Sequence, residues 1–275
     1  MPAPIRFVAC DLDGTIIGAS QRISDRTLRV FAELRSMGVV VVAATGRGPS
    51  ALPDFGDTPA VDMALCSNGA VVVDQTTGVV VERNEIDGAV AASLVHDLRR
   101  KLVGSCFAWE SASGYGYEDA FAFHGQMLLD SLKGAPRIDV DPRSPITKVF
   151  VAHHDLGYAA LVERVRNEVS VDVEVTSAGL PFVVITAANV TKAHSLERVC
   201  AARGIGAAEV IAFGDSWNDL GMLRWAGIGV AVANANDDVK AAADARTGSV
   251  DDDGVALDLA KRFSLKGYGI TNPAS

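Results

Sequence analysis

Phe7-Val8-Ala9-Cys10-Asp11-Leu12-Asp13-Gly14-Thr15 runs from four apolar residues straight into two carboxylates spaced two apart. The apolar part does not alternate with polar residues, so it reads as a strand buried on both faces, as in a parallel sheet. The same pattern recurs along the chain. Val39–Ala44 ends at Thr45-Gly46, Met63–Cys66 at Ser67-Asn68-Gly69, Val210–Phe213 at Gly214-Asp215, and Gly229–Ala233 at Asn234. Helical patterns lie between these runs. Ser24–Met37 puts Leu28, Phe31 and Leu34 on one side with Gly38 as a stop, and Lys192–Arg203 does the same with Leu196, Val199 and Cys200 before Gly204. Strand alternating with helix predicts a doubly wound, Rossmann-like α/β core with a parallel sheet. Ligands of such sheets bind beyond the carboxyl ends of the strands, where all these run-ending polar residues would collect.

The middle of the chain follows another rule. Asp87–Val103 carries Val90, Leu94, Leu98 and Leu102 four apart, Ile146–Ala152 reads as a strand and Leu156–Val169 as a helix. Val171–Val175 alternates cleanly and, through Ser177-Ala178-Gly179, pairs as a hairpin with Phe182–Thr186, with Pro181 at the strand start. We expect an α+β unit over residues 84–187 inserted into a core made of 1–83 and 188–275. The Gly- and Pro-containing tail from Ser264 to Ser275 is expected to be loosely held.

The 275 residues suit two unequal domains, and with 49% hydrophobic and 21% charged residues the chain should fold. A formal charge of −9 argues against a nucleic-acid partner, although a local cluster of cations can still bind a small phosphorylated molecule. Cys10, Cys66, Cys106 and Cys200 make no C-x-x-C pair or zinc spacing, and no disulfide is expected. The start lacks a long apolar stretch, so no signal peptide is expected, and no run is long enough to span a bilayer. These readings together predict a cytoplasmic protein without membrane partners.

Asp11-Leu12-Asp13-Gly14 alone could be a capped turn, and Gly214-Asp215-Ser216-Trp217-Asn218-Asp219 could be a turn that caps the helix after it. Two acidic clusters at two strand ends of one sheet would repel each other, which calls for a cation. Few oxygen ligands, with room left for water and phosphate, suit Mg²⁺. Thr45 and Gly46 can donate to phosphate oxygens, and Lys192 opens a helix, where free N–H groups favour an anion.

Taken together, Asp11-Leu12-Asp13-Gly14-Thr15, Thr45-Gly46-Arg47, Lys192 and Gly214 to Asp219, with Met222 soon after, resemble the haloacid dehalogenase (HAD) superfamily in its Cof-type phosphatase branch. Ser67-Asn68-Gly69 and Asp252-Asp253-Gly254-Val255-Ala256 are similar to that branch as well. The insertion falls where the branch carries a large α/β cap. One departure is Ala193, where the family often has glycine. The resemblance implies a phosphatase acting on a small phosphorylated metabolite. Asp11 is then the nucleophile, which forms an aspartyl phosphate, and Asp13 the general acid and base. Mg²⁺ would be held by Asp11, the Asp13 carbonyl and Asp215. Thr45, Gly46 and Lys192 would neutralise the phosphoryl charge, with Leu12, Arg47, Asn68 and Asn218 on phosphate or substrate. Thr15 is expected to orient Asp11 or Asp13, and Ser216 and Asp219 to support Lys192 and the metal site.

Two other readings share these features. A phosphosugar mutase of the same superfamily would differ in its cap. A receiver-like signalling module also uses aspartates, a threonine and a lysine around Mg²⁺, but it is smaller and has no cap. Within the insertion, Trp109, Tyr115, Tyr117, Phe121, Phe123 and His124 are expected to pack its own sheet, and His153-His154 to lie at a surface strand end. Lys148 and Arg143 are candidates for a charge contact with substrate. Both monomer and homodimer remain open.

Overall fold

The short apolar runs become strands because each is flanked by turn residues and has no polar face to present to water. The computed structural model describes residues 3–56, 59–112, 114–122, 144–176 and 181–268. Strands β1 (Phe7–Cys10), β2 (Val40–Ala44), β3 (Met63–Cys66), β4 (Val71–Asp74), β5 (Val80–Arg83), β11 (Val210–Gly214), β12 (Ile228–Ala231) and β13 (Ala245–Arg246) form one sheet in the order β13-β12-β11-β1-β2-β3-β4-β5. From β13 through β3 the pairing is parallel, as predicted. The β3–β4–β5 edge is antiparallel and was not foreseen. Every residue of β1 and β3 is buried, which explains why they read as unbroken apolar runs.

Helices pack on this sheet. The first, α1 (Asp25–Ser36), is capped by Ser24, whose side chain accepts from the Thr27 N–H, and it buries Val30, Phe31 and Leu34. The others that belong to this sheet are α5 (Lys192–Ala201), α6 (Leu220–Trp225), α7 (Asp237–Ala242) and α8 (Gly254–Arg262); α8 packs beside α1, and α6 packs beside α5 and α7.

The intervening stretch builds a second sheet, β7-β6-β8-β10-β9, from β6 (Ser105–Ser111), β7 (Gly114–Tyr117), β8 (Lys148–His153), β9 (Val173–Thr176) and β10 (Val183–Ala187), and every pairing in it is antiparallel. Helices α2 (Gly88–Lys101) and α4 (Tyr158–Glu168) cover one face, over Phe107, Val149, Val151, Val183 and Ile185. The short α3 (Asp119–Ala122) brings Phe121 to the other face, beside Phe150 and Phe182. Trp109 and Phe121 therefore pack the second sheet, as expected of the aromatic cluster. His153 ends β8 and His154 follows it, exposed. All four cysteines are buried and unpaired. Phe123, His124, Arg143, Ser177-Ala178-Gly179 and the end of the tail lie outside the described residues. No described helix is long and apolar enough to cross a membrane.

Candidate active site

The carboxyl ends of β1, β2, β3 and β11 point to one place, because neighbouring parallel strands all end on the same edge. Asp11 follows β1 and Asp215 follows β11, and β1 pairs directly with β11. The carboxylates of Asp11, Asp215 and Asp219 offer oxygens that all lie within 4.8 Å of one another. Asp11 and Asp219 are buried, and Asp215 is half-buried. The turn after β1 allows this closeness through Gly14, whose φ is +82°. A Cβ at Gly14 would stand 2.4 Å from Asp215 Oδ2, so any other residue there would push that carboxylate away.

Among the described residues, one ammonium faces this cluster. Thr191 caps α5 by accepting from the His194 N–H at 3.1 Å, which starts the helix at Lys192. Lys192 is 1% exposed and donates to Asp11 Oδ1 at 2.5 Å and to Asp219 Oδ1 at 2.7 Å. The other oxygen of Asp219 accepts the N–H groups of Asp215 and Ser216, at 3.1 and 3.0 Å. Asp219 is thus a brace that joins Lys192 to the loop after β11. Burial pushes the Asp11 carboxyl well above the ordinary range; Lys192 pulls it back, while Asp219 and Asp215 add to the rise. Burial, then Asp219, lifts Asp215 to about 6 against the pull of Lys192. Burial alone would lower the Lys192 pKa, but Asp11 and Asp219 overcome it and hold the ammonium above its usual value. Three carboxylates against one ammonium leave excess negative charge. Their oxygens are the donor set that a hard divalent cation takes, so the residues fit a metal ion.

The remaining residues form the rim. Thr45 is buried, and its hydroxyl oxygen accepts the Arg47 N–H at 3.0 Å. The loop after β3 is bound to the Thr45 loop by Ser67 N–H to Arg47 O at 2.7 Å and Asn68 N–H to Thr45 O at 2.9 Å. Asn218 donates to Asn68 Oδ1 at 3.3 Å, so both amides stand at this rim. Leu12 is fully buried, and its carbonyl accepts from the N–H groups of Thr15, Ile16 and Ile17.

One expectation needs correction. The Thr15 hydroxyl donates to Asp215 Oδ1 at 3.2 Å, not to Asp11 or Asp13, because the turn at Gly14 swings residue 15 toward the β11 side. Arg47, a candidate for a substrate contact, forks onto Asp13: Nε meets Oδ2 at 2.9 Å and a terminal nitrogen meets Oδ1 at 2.5 Å. A planar guanidinium finds its best partner in a carboxylate it can grip with two bonds. Neither partner was assigned to the other from sequence, since 34 residues separate them.

Residues 8–259 match the family model described as haloacid dehalogenase-like hydrolase. The chain is 29% identical over 255 residues to 5-amino-6-(5-phospho-D-ribitylamino)uracil phosphatase YcsE of Bacillus subtilis, covering 92% of this chain and 93% of that protein. It is 26% identical over 263 residues to the pyridoxal phosphate phosphatase YbhA of Escherichia coli, covering 91% and 96%. Among solved structures, the HAD subclass IIB sugar phosphatase BT4131 superposes with a TM-score of 0.79 at 23% identity, over 94% of this chain and 99% of that one.

Proposed function

The chain belongs to the haloacid dehalogenase-like hydrolases, and we propose that it is a Mg²⁺-dependent phosphatase that hydrolyses a small phosphomonoester through a phosphorylated Asp11. The observation that carries this reading is the meeting of Asp11, Asp215 and Asp219 around Lys192 at the strand ends. Mg²⁺ would be held by Asp11, Asp215 and, by the family resemblance, the Asp13 carbonyl; when bound it offsets the charge of the carboxylates and the phosphoryl group.

In the proposed reaction one Asp11 oxygen attacks phosphorus in line, while Lys192 holds the other oxygen. The P–O bond to the leaving group breaks as the P–O bond to Asp11 forms. Asp13 gives its proton to the departing oxygen, then takes one from the water that attacks the aspartyl phosphate. That second attack frees inorganic phosphate and restores the Asp11 carboxylate. The fork of Arg47 holds Asp13 as the carboxylate, the form that takes the proton from water, and one of its two bonds is given up when Asp13 carries the proton. Because the Thr45 oxygen already accepts from the Arg47 N–H, its own hydrogen is free to be donated to a phosphoryl oxygen. Residues 84–187 act as the cap that excludes water and selects the substrate. The relatives named for a phosphoribitylamino-uracil and for pyridoxal phosphate support a phosphorylated metabolite of that size.

The test is hydrolysis of p-nitrophenyl phosphate with and without Mg²⁺, followed by a screen of about a hundred phosphorylated metabolites compared by catalytic efficiency. The reading expects metal-dependent turnover that vanishes in Asp11→Ala. Equal turnover in that variant would show the nucleophile to be misassigned.

A further inference from the structure

A second charged pair is buried away from the carboxylate cluster. Glu110 of β6 and Lys148 of β8 stand directly opposite each other in the second sheet, with Lys148 Nζ 2.6 Å from Glu110 Oε2. They are 3% and 4% exposed. Both sit on the sheet face that turns away from α2 and α4, the face that also carries Phe150, and the ammonium stands 5.2 Å from the centre of the Phe150 ring.

Each partner also reaches across to the first sheet. Lys148 Nζ donates to the Gly46 carbonyl at 2.7 Å. Glu110 Oε1 accepts from the Ser67 hydroxyl at 2.7 Å. The approach is close enough that a Cβ at Gly48 would stand 2.4 Å from the Tyr115 hydroxyl and 2.5 Å from Glu110 Oε1. Buried ion pairs contribute little to stability compared with apolar residues of the same size, so stability does not account for this one.

Resting on the phosphatase reading above, we propose that Lys148 and Glu110 are positioning residues: seated against the core, this pair sets the two loops that bind phosphate, so turnover depends on how the second sheet is docked. The first tether acts through a rigid peptide. The carbonyl of Gly46 and the N–H of Arg47 belong to one plane and point in opposite directions. Lys148 holds that carbonyl while the same peptide's N–H holds Thr45 Oγ1 at 3.0 Å. A cation in the second sheet therefore governs the aim of the hydroxyl offered to phosphate. The second tether acts on a strained turn. Ser67, Asn68 and Gly69 have φ of +53°, +59° and +98°, a left-handed run that non-glycine residues adopt only when their surroundings hold it. Glu110 is one of the groups that hold it, beside Asn218 on Asn68 and the Ser195 hydroxyl on the Gly69 carbonyl at 2.6 Å. Each charge also neutralises the other, so the pair brings a donor and an acceptor to the rim without adding net charge next to the phosphate.

The test compares the parent with Lys148→Met and with Glu110→Leu/Lys148→Met, an apolar pair of similar size. Readouts are melting temperature, kcat and KM for p-nitrophenyl phosphate with Mg²⁺, and inhibition by inorganic phosphate. The double variant is expected to melt near the parent. Its kcat is expected to fall about 10- to 100-fold, with phosphate inhibition weakened to a similar degree. Should the double variant fold poorly, Ser67→Gly removes one tether while tolerating the backbone, and a kcat loss of about threefold or more is expected. Unchanged kcat in the folded double variant or in Ser67→Gly would overturn the proposal. So would a loss seen only as raised KM for bulky substrates, which would make Lys148 a leaving-group contact. A parent without Mg²⁺-dependent turnover on any phosphoester defeats the functional reading instead, whereas an active parent with a full-speed double variant defeats this inference alone.

Discussion

Asp215 carries the sharpest residue-scale consequence. Its carboxyl is lifted to about 6, first by burial and then by Asp219, so the ionised form is a burden on the metal-free fold. Between the ordinary value of ~4 and about 6, the folded chain keeps a proton that the unfolded chain releases. This group's contribution to stability therefore falls as pH rises through that window and is constant above it. Asp215→Asn removes the burden and a metal ligand together. In EDTA at about pH 8 the variant is expected to melt at or above the parent temperature, while the rise produced by Mg²⁺ disappears. A Mg²⁺ response equal to the parent's would remove Asp215 from the metal site. The same titration predicts that the parent's Mg²⁺-induced melting shift is large at about pH 8 and small at about pH 5, where the ion must displace the proton. Scanning fluorimetry across that range checks it, and a shift independent of pH would contradict it.

At the scale of elements, the site depends on where each helix and strand stops. Thr191 fixes the first turn of α5 and so the place where Lys192 leaves the backbone. Thr191→Ala is expected to lower unfolding free energy by about 1 kcal/mol in urea titration, with the fold kept. No measurable loss would show that the cap is redundant. The strands of the parallel sheet were legible in the sequence because a strand buried on both faces has no polar residues to blur it. Its edge was not. Strand β4 is a buried apolar run like the others, but it follows the Ser67-Asn68-Gly69 turn at once, with no helix between to mark a parallel crossover, and β5 alternates half-buried with exposed positions in only four residues, too short a pattern to stand out. The strands β6 and β7 were hidden for another reason: their aromatics were read as packing material without a register, and the register is what sets Glu110 opposite Lys148.

For the whole molecule, the two sheets make one site only through long-range contacts, and these are what a linear reading misses. The carboxylates at 11 and 215 were paired from sequence because each follows a buried strand, and chemistry demanded a cation between them. The grip of Arg47 on Asp13, the Thr15 bond to Asp215 and the bridge from Lys148 to Gly46 follow from tertiary placement. Tyr158, which opens α4, lies with its ring 6.4 Å from that of Trp217, beside the loop after β11, so the second sheet unit also meets the core there. The second sheet unit thus touches the core at two places, at Gly46 through Lys148 and at Trp217 through Tyr158.

The measurement that bears most directly on the proposed chemistry uses Asp13→Asn. The p-nitrophenolate group leaves without needing a proton, so the first step should survive in this variant while attack by water is slowed. Mixed with p-nitrophenyl phosphate and Mg²⁺, Asp13→Asn should release a burst of nitrophenolate stoichiometric with enzyme, and mass spectrometry after acid quench should find the phosphate on Asp11. A burst that persists in Asp11→Ala/Asp13→Asn, or a phosphoryl group on any other residue, would contradict the account.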